Sequence, residues 1–543
     1  MNEINPVKQM ILRKKKYLFP RVFLLFGMLL AACLSSCSPV GIPEAAAPAS
    51  TPEPERTATP APTANLIPDG YIEYETQSGD TIPVVAAHFG VDAGSIITLA
   101  DLENNGKTDG TLCEEGASGN SSAEDDDGCV VSTAILDPGT VLYVKDVLGE
   151  TTPDKILFPD SEVVYSPSVI GFDPAGFARA QGGKLGEHLE PLQAGMVFAA
   201  DKIWELSEEH SVNPRLLLSI IEHHGGWVTH EPETDEEKRY PMGYLHPDRG
   251  GIIAQLGWMI RFLNDGYYWW RAGTLSELTF TDGKTLRLSP YLNAGTVAVM
   301  YSTAQTHTYA EWKNFLYGPD NLLDTHLELF GDMEARAAAV EPLFPAGVAQ
   351  PEMNLPFFPN ETWNLTSGPH PAWGRHGALA ALDFSPPLLK PGCGVSHHWT
   401  TAAAAGLIVR GVNGSAVIDL DEDGYEQTGW VLVYMHLGNT ERLGVGERVA
   451  VDDPIGHPSC VGGSSTGIHV HIARKYNGEW VLADGGLPFV LSGYRAYNGD
   501  QPYDGMLISG NSIVIANAFG TYWTKILRPE SDPKYFYTPT PKP

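Results

Sequence analysis

Hydrophobic positions recur along the chain in three successive rhythms. After Tyr74-Glu75-Thr76-Gln77-Ser78-Gly79-Asp80-Thr81, a short strand running into a tight turn, Ile82, Val85, Ala86 and Phe89 fall at helical spacing. A second helix is predicted from Asp92, and the segment closes on Leu136-Asp137-Pro138-Gly139-Thr140-Val141-Leu142-Tyr143-Val144. From about Gly171 to Asp332 the pattern turns helical, with Ala199, Ile203 and Leu206, then Leu216, Leu217, Ile220 and Ile221, at core spacing. An all-α unit is expected there. Beyond about Pro345 short apolar runs alternate with glycine turns: Gly406-Leu407-Ile408-Val409-Arg410-Gly411, Ser415-Ala416-Val417-Ile418-Asp419 and Trp430-Val431-Leu432-Val433-Tyr434-Met435. Such spacing predicts an antiparallel sheet. The expected fold class is multidomain: a small α/β module, an all-α middle domain and an antiparallel β-rich C-terminal domain.

The N-terminus changes the picture. Arg13, Lys14, Lys15, Lys16 and Arg21 precede an apolar run from Val22 to Ala32, too short to span a bilayer and of the shape of an export signal. Its end, Leu30-Ala31-Ala32-Cys33, resembles the bacterial lipobox, which implies diacylglycerol on Cys33, a membrane anchor and an exported protein. A second match, Leu34-Ser35-Ser36-Cys37, follows at once and leaves the choice of cysteine open. From Ser38 to about Asn65 the chain is nearly all Pro, Ala, Thr, Ser and Glu, a composition that stays extended and reads as a tether. The boundaries are therefore a signal peptide at 1–33, a tether at 34–66, the small module at 67–147, the helical domain at 165–340, the β-rich domain at 345–530 and a tail at 531–543.

Charge and cysteines narrow the partners. With 66 acidic against 35 basic residues in 543, the formal charge is −31, which repels phosphate backbones and excludes nucleic acid. Two of the six cysteines lie in the signal region; Cys113 and Cys129 bracket a polar Gly-, Ser- and Asp-rich stretch, and Cys393 and Cys460 share the C-terminal domain. Two disulfides, Cys113–Cys129 and Cys393–Cys460, suit an oxidising compartment, although chain order alone does not fix the pairing.

Two of these regions have recognisable relatives. The opening Gly79-Asp80-Thr81 and the closing Pro138-Gly139-x-x-Leu142 resemble the LysM module, a βααβ unit that binds N-acetylglucosamine-containing glycans; about 30 residues with Cys113 and Cys129 interrupt it. Around Val212 to Trp227 the helical region resembles the lytic transglycosylases, whose helix ends in Glu-Ser-Gly with the glutamate as general acid. Here His224 and Gly225 stand before Gly226, and Glu222 lies two residues earlier, about 200° round a helix. No glycosidase acid is present by motif. The run Tyr267-Tyr268-Trp269-Trp270 is either core or a sugar-stacking surface.

Metal-competent residues interrupt the apolar alternation of the C-terminal domain. In Thr466-Gly467-Ile468-His469-Val470-His471-Ile472 the two histidines at i and i+2 of a strand share a face. Gly368-Pro369-His370, Leu382-Asp383-Phe384 and Tyr434-Met435-His436 add two imidazoles and a carboxylate, a donor set suited to zinc with a position kept for water. The set resembles the lysostaphin-type and β-lytic zinc metallopeptidases of bacterial cell walls, whose β-lytic branch separates its first histidine and aspartate by twelve residues, as His370 and Asp383 are. The resemblance implies Zn2+ on His370, Asp383 and His471. His436 and His469 would lie beside the metal-bound water and the oxyanion, in roles the sequence does not divide between them. His376, with six residues between it and Asp383, is the rival first ligand. Implied as well are hydrolysis of peptide bonds in peptidoglycan and a competing reading, an inactive envelope scaffold that recruits another hydrolase; a protease of extracellular proteins is a third. Finally, Asp419-x-Asp421-x-Asp423-Gly424 repeats the first half of an EF-hand loop, with Trp430 at its twelfth position; it either holds Ca2+ or is an acidic β-turn.

Overall fold

Tyr71–Glu75 (β1), Ile97–Thr98 (β2) and Val141–Lys145 (β3) form an antiparallel sheet in the order β1-β3-β2 in the computed structural model, which describes residues 67–98, 100–101, 131–192, 195–387 and 392–531. The signal, the tether, Cys33, Cys113, Cys129 and the tail beyond residue 531 lie outside the described residues. Helix α1, Ile82–Phe89, starts where the Thr81 hydroxyl accepts from Val84 N–H and ends at Gly90, whose φ of 71° a side chain would resist. Its Ile82, Val85, Ala86 and Phe89 pack on Tyr74, Leu142 and Val144, the positions that the helical spacing marked. Where a second helix was expected from Asp92, the chain makes a three-residue 3₁₀ turn, Ala93–Ser95. Gly94 and the β-branched run Ile96-Ile97-Thr98 oppose continuation, and the run supplies β2 instead.

The middle region is built on α2 (Pro174–Gln181), α3 (Ala199–His210), α4 (Pro214–Gly225), α5 (Ile252–Arg271) and α6 (Ala294–Ala304). Asn213 caps α4 by accepting from Arg215 N–H, Pro214 opens it and Gly226 closes it at a φ of 62°. In the centre α5 and α6 cross closely because Gly266 has no side chain: a Cβ there would meet the Tyr301 Cβ at 2.8 Å and the Ala298 Cα at 3.1 Å. The region is not purely helical. Leu189–Leu192 pairs with Gly195–Phe198, and Glu277–Thr279 with Thr285–Arg287, the latter around an Asp282-Gly283 turn that the helical reading passed over.

The C-terminal region forms two larger antiparallel sheets and a two-stranded ladder of Thr400–Thr401 with Pro454–Gly456. In chain order the strands of the two larger sheets are Thr362–Pro371 (β4), Leu379–Ser385 (β5), Gly406–Arg410 (β6), Ala416–Asp419 (β7), Trp430–Met435 (β8), Arg448–Val449 (β9), Val470–Tyr476 (β10), Glu479–Trp480 (β11), Val490–Leu491 (β12), Tyr494–Asn498 (β13), Gly505–Ser509 (β14), Ser512–Ile515 (β15) and Lys525–Leu527 (β16). The larger sheet runs β9-β6-β7-β8-β10-β5-β4-β16, with β11 also paired to β10; the smaller runs β12-β13-β14-β15. Both faces of the larger sheet are covered. Val431, Val433 and Ala473 join the core of the helical region, whereas Leu432, Tyr434 and Ile472 join a second core with Leu382, Phe384 and Phe489. That double burial explains the uninterrupted apolar run of β8, since a one-sided sheet would alternate. The described residues from 67 onward cluster as one unit, and no described helix is long and apolar enough to cross a membrane.

Candidate metal centre

Three neighbouring strands bring the donors together. On β10 His471 stands directly opposite Asp383 of β5, and β4 delivers His370 beside Ala381 after an irregular register. The bulged pairing re-aims His370 towards the carboxylate. Asp383 Oδ1 lies 3.3 Å from both His370 Nε2 and His471 Nδ1, and those two nitrogens are 3.1 Å apart. All three side chains are buried, and Oδ1 has no hydrogen-bond partner.

The outer nitrogens fix the tautomers. A carbonyl can only accept, so His370 Nδ1–H donates to Gly368 O at 2.8 Å and His471 Nε2–H donates to Ala372 O at 3.0 Å. The inner nitrogens therefore turn lone pairs towards Asp383. Burial pushes the Asp383 carboxyl up, but positive charge on the imidazoles of His370 and His469 would outweigh it and hold the group well below the usual carboxylate range, so the site favours a cation beside the carboxylate.

Beside this trio stand two more imidazoles with the same polarity. His469 Nδ1–H donates to Gly467 O at 2.8 Å and its Nε2 lies 3.7 Å from Asp383 Oδ2; His436 Nδ1–H donates to Val461 O at 3.2 Å, and the two rings are 4.4 Å apart. His436 follows β8 at a φ of 63°, a conformation costing about 1 kcal/mol or more in a non-glycine residue. Ser459 holds it there, donating to His436 O from Oγ at 2.8 Å and from N–H at 2.6 Å. The next residue, Cys460, is joined to Cys393.

His376 is set apart: it sits in the loop after β4, its Nδ1 4.0 Å from Asp265 of α5. His398 faces Glu361 instead. Tyr503, which carried no signal in the sequence, stacks on His370 at 4.7 Å with a φ of 77°, its N–H bonded to Pro369 O and its carbonyl to Gly368 N–H. A turn signal at Pro502-Tyr503-Asp504-Gly505 was legible, but not its address.

Elsewhere the remaining candidates are structurally engaged. Asp419, Asp421 and Asp423 bring carboxylate oxygens within 4.8 Å of one another. The turn satisfies much of that charge itself, because Asp419 accepts from Asp421 N–H and Gly424 N–H, and Asp423 from Tyr425 N–H. Glu222 accepts from Val228 N–H at 2.8 Å and Thr229 N–H at 3.0 Å, bracing the exit of its own helix. His224 packs on Phe315, and burial lowers it to about 3. Tyr267, Tyr268 and Trp270 are core, whereas Trp269 is exposed.

Comparison with known proteins supplies the class: the chain is a metalloendopeptidase. Over 385 residues it is 23% identical to Protease LasA of Pseudomonas aeruginosa, covering 67% of this chain and 83% of that protein. The beta-lytic metalloendopeptidase of Achromobacter lyticus is 30% identical over 162 residues, 28% of this chain and 40% of that protein, and its namesake from Lysobacter enzymogenes is 28% identical over 160 residues, 28% and 83%. Residues 156–342, the stretch likened above to lytic transglycosylases, match the family described as LasA, N-terminal domain. Among solved structures, the M23 metalloprotease pseudoalterin aligns at 24% identity over 33% of this chain and 100% of its own, with a TM-score of 0.27.

Proposed function

We propose that this metalloendopeptidase is zinc-dependent, with His370, Asp383 and His471 as ligands, and that it hydrolyses peptide bonds of bacterial peptidoglycan. The observation that carries the reading is the convergence of lone pairs. Two neutral imidazoles whose outer N–H groups are committed to carbonyls face each other at 3.1 Å beside an unpartnered buried carboxylate oxygen. Facing lone pairs repel unless a cation lies between them, and two nitrogens with one carboxylate oxygen suit Zn2+ with a position left for water.

Zinc there would polarise the scissile carbonyl and make water a nucleophile near neutral pH. The chain's own residues do the rest. With Nδ1–H bonded to Gly467 O and Val461 O, His469 and His436 each turn Nε2 inward, one to accept the proton of the attacking water and the other, once protonated, to donate to the oxyanion. Bonds from the outer ring nitrogens to the carbonyls of Gly368, Ala372, Gly467 and Val461 keep all four rings from turning. The names of the relatives, a protease and beta-lytic metalloendopeptidases, support peptide-bond cleavage.

The wider reading is an exported lipoprotein acylated at Cys33, with a LysM-like glycan module and a helical region that resembles a transglycosylase but lacks its acid. Calcium at Asp419, Asp421 and Asp423 stays part of this reading only as a support for the turn. Zinc content and release of soluble peptides from purified peptidoglycan, compared between the wild type and His471→Ala, test the core of it. Stoichiometric zinc and activity in the wild type, both lost in the variant, are expected. A wild type that stays inactive after zinc reconstitution would leave the scaffold reading.

A further inference from the structure

Near the end of the described chain three aromatic rings stand in solvent: Phe519 is 90% exposed, Tyr522 78% and Trp523 60%. Most of the described aromatic rings are buried or half-buried, so three open ones within five residues call for a partner. They are not on a loose loop. Asn517 Oδ1 accepts from Phe519 N–H at 3.0 Å, Thr521 Oγ1 from Trp523 N–H at 3.2 Å, and Thr524 Oγ1 donates to Asn364 Oδ1 of β4 at 3.0 Å. Tyr522 and Trp523 stand edge to face with centroids 5.4 Å apart. A backbone pinned in this way presents the rings with little ordering left to do on binding.

We infer that Phe519, Tyr522 and Trp523 form a saccharide-stacking ledge for the glycan strand whose peptides the metal centre cuts. The inference rests on the peptidoglycan reading above and goes beyond it by naming a second contact with the polymer, separate from the LysM-like module. A pyranose ring has an apolar face and a hydroxyl rim; the ledge offers flat rings beside the uncharged donors and acceptors of Asn517, Thr521 and the Tyr522 phenol.

Position supports the same occupant. Asn517 N–H donates to Leu365 O, and β16 pairs Lys525 with Asn364, so the ledge is built on the strand that carries His370. His370 lies six steps along the strand from Asn364, roughly 20 Å at about 3.3 Å per residue. A glycan held at the ledge therefore keeps its stem peptides within reach of the metal centre and raises their local concentration.

Hydroxyl-radical footprinting of the full chain with peptide-stripped strands of N-acetylglucosamine and N-acetylmuramic acid tests this directly. Oxidation of Phe519, Tyr522 and Trp523 falls on glycan binding, and Trp523→Ser weakens retention on the same strands roughly tenfold, the loss expected for one stacked ring. Rings that stay fully reactive at saturating glycan overturn the ledge. So does protection by neutral phosphatidylcholine vesicles instead of glycan, which makes the surface a membrane contact, or protection that rises with protein concentration alone, which makes it a contact between copies. A chain that releases no peptide from intact peptidoglycan while the stripped strands still protect the rings sinks the peptidase reading and leaves the ledge standing.

Discussion

The Asp80 carboxylate accepts from the Tyr74 hydroxyl at 2.6 Å and from Gln77 N–H at 2.7 Å, yet burial raises it from 3.8 to about 6 despite those bonds. The folded state thus holds the proton more tightly than the unfolded chain. Stability from this group is complete below about pH 4 and is lost as pH rises through about 6, by at most ~3 kcal/mol. Asp80→Asn keeps an acceptor for both donors but cannot ionise. Urea unfolding at pH 4.5 and 7 should show the wild type losing more stability over that interval than the variant; parallel losses would mean that Asp80 is solvated enough to titrate normally. At the metal centre the same accounting works in the other direction, because nearby imidazoles overcome an equally complete burial at Asp383. Both carboxylates were visible as motif members, but the sign of each shift depends on neighbours brought from distant strands.

Helix α5 and strand β11 meet through one cation. Arg271, at the end of α5, donates from Nε to Glu479 Oε1 and from Nη2 to Asp160 Oδ2, both at 2.8 Å, with all three side chains at least nine-tenths buried. Removing the guanidinium leaves two carboxylates without their charge partner, so Arg271→Leu is expected to cost about 3–5 kcal/mol. Arg448→Ala, which breaks the exposed pair with Glu422, should cost under about 1 kcal/mol. Comparable urea midpoints for the two variants would show that water reaches the Arg271 site. Element by element, the residues that build local structure were legible: the helical spacing of α1 and α4, the apolar runs of β6 to β8, and the His-x-His placed just before and just inside the start of β10. Arg271, Glu479 and Tyr503 were not, because a buried pair or a stacking contact over hundreds of positions leaves no periodicity behind. The missed hairpins in the helical region and the 3₁₀ turn at Ala93 show the same limit at short range, where a few turn residues compete with a helical rhythm.

Across the whole molecule, the regions that read as separate domains share their interiors. Lys475 of β10 donates to Glu208 O of α3, the Trp480 N–H of β11 donates to the Tyr268 hydroxyl of α5, Gly377 N–H donates to Asp265, and Gln77 of the small module reaches the Tyr291 carbonyl. One face of the larger sheet packs on the helical region, so unfolding that region exposes Val431, Val433 and Trp480 together with the buried Lys475 charge. Burial of Lys475 lowers its ammonium to about 8 even beside Glu426, a sign of how completely the junction excludes water. Three autonomous domains would melt in separate steps. Shared cores instead make the loss of one region cost the others their packing, and the cooperative unit should extend from the small module to β16. Calorimetry of the zinc-loaded chain, with tryptophan fluorescence and far-ultraviolet circular dichroism as parallel probes, is expected to give one coincident transition. A separate early transition confined to the helical region would instead show that its contacts with the sheet are weak enough to release the metal-bearing strands as an independent body, and would locate the boundary near residue 342, where the match to the LasA N-terminal domain ends.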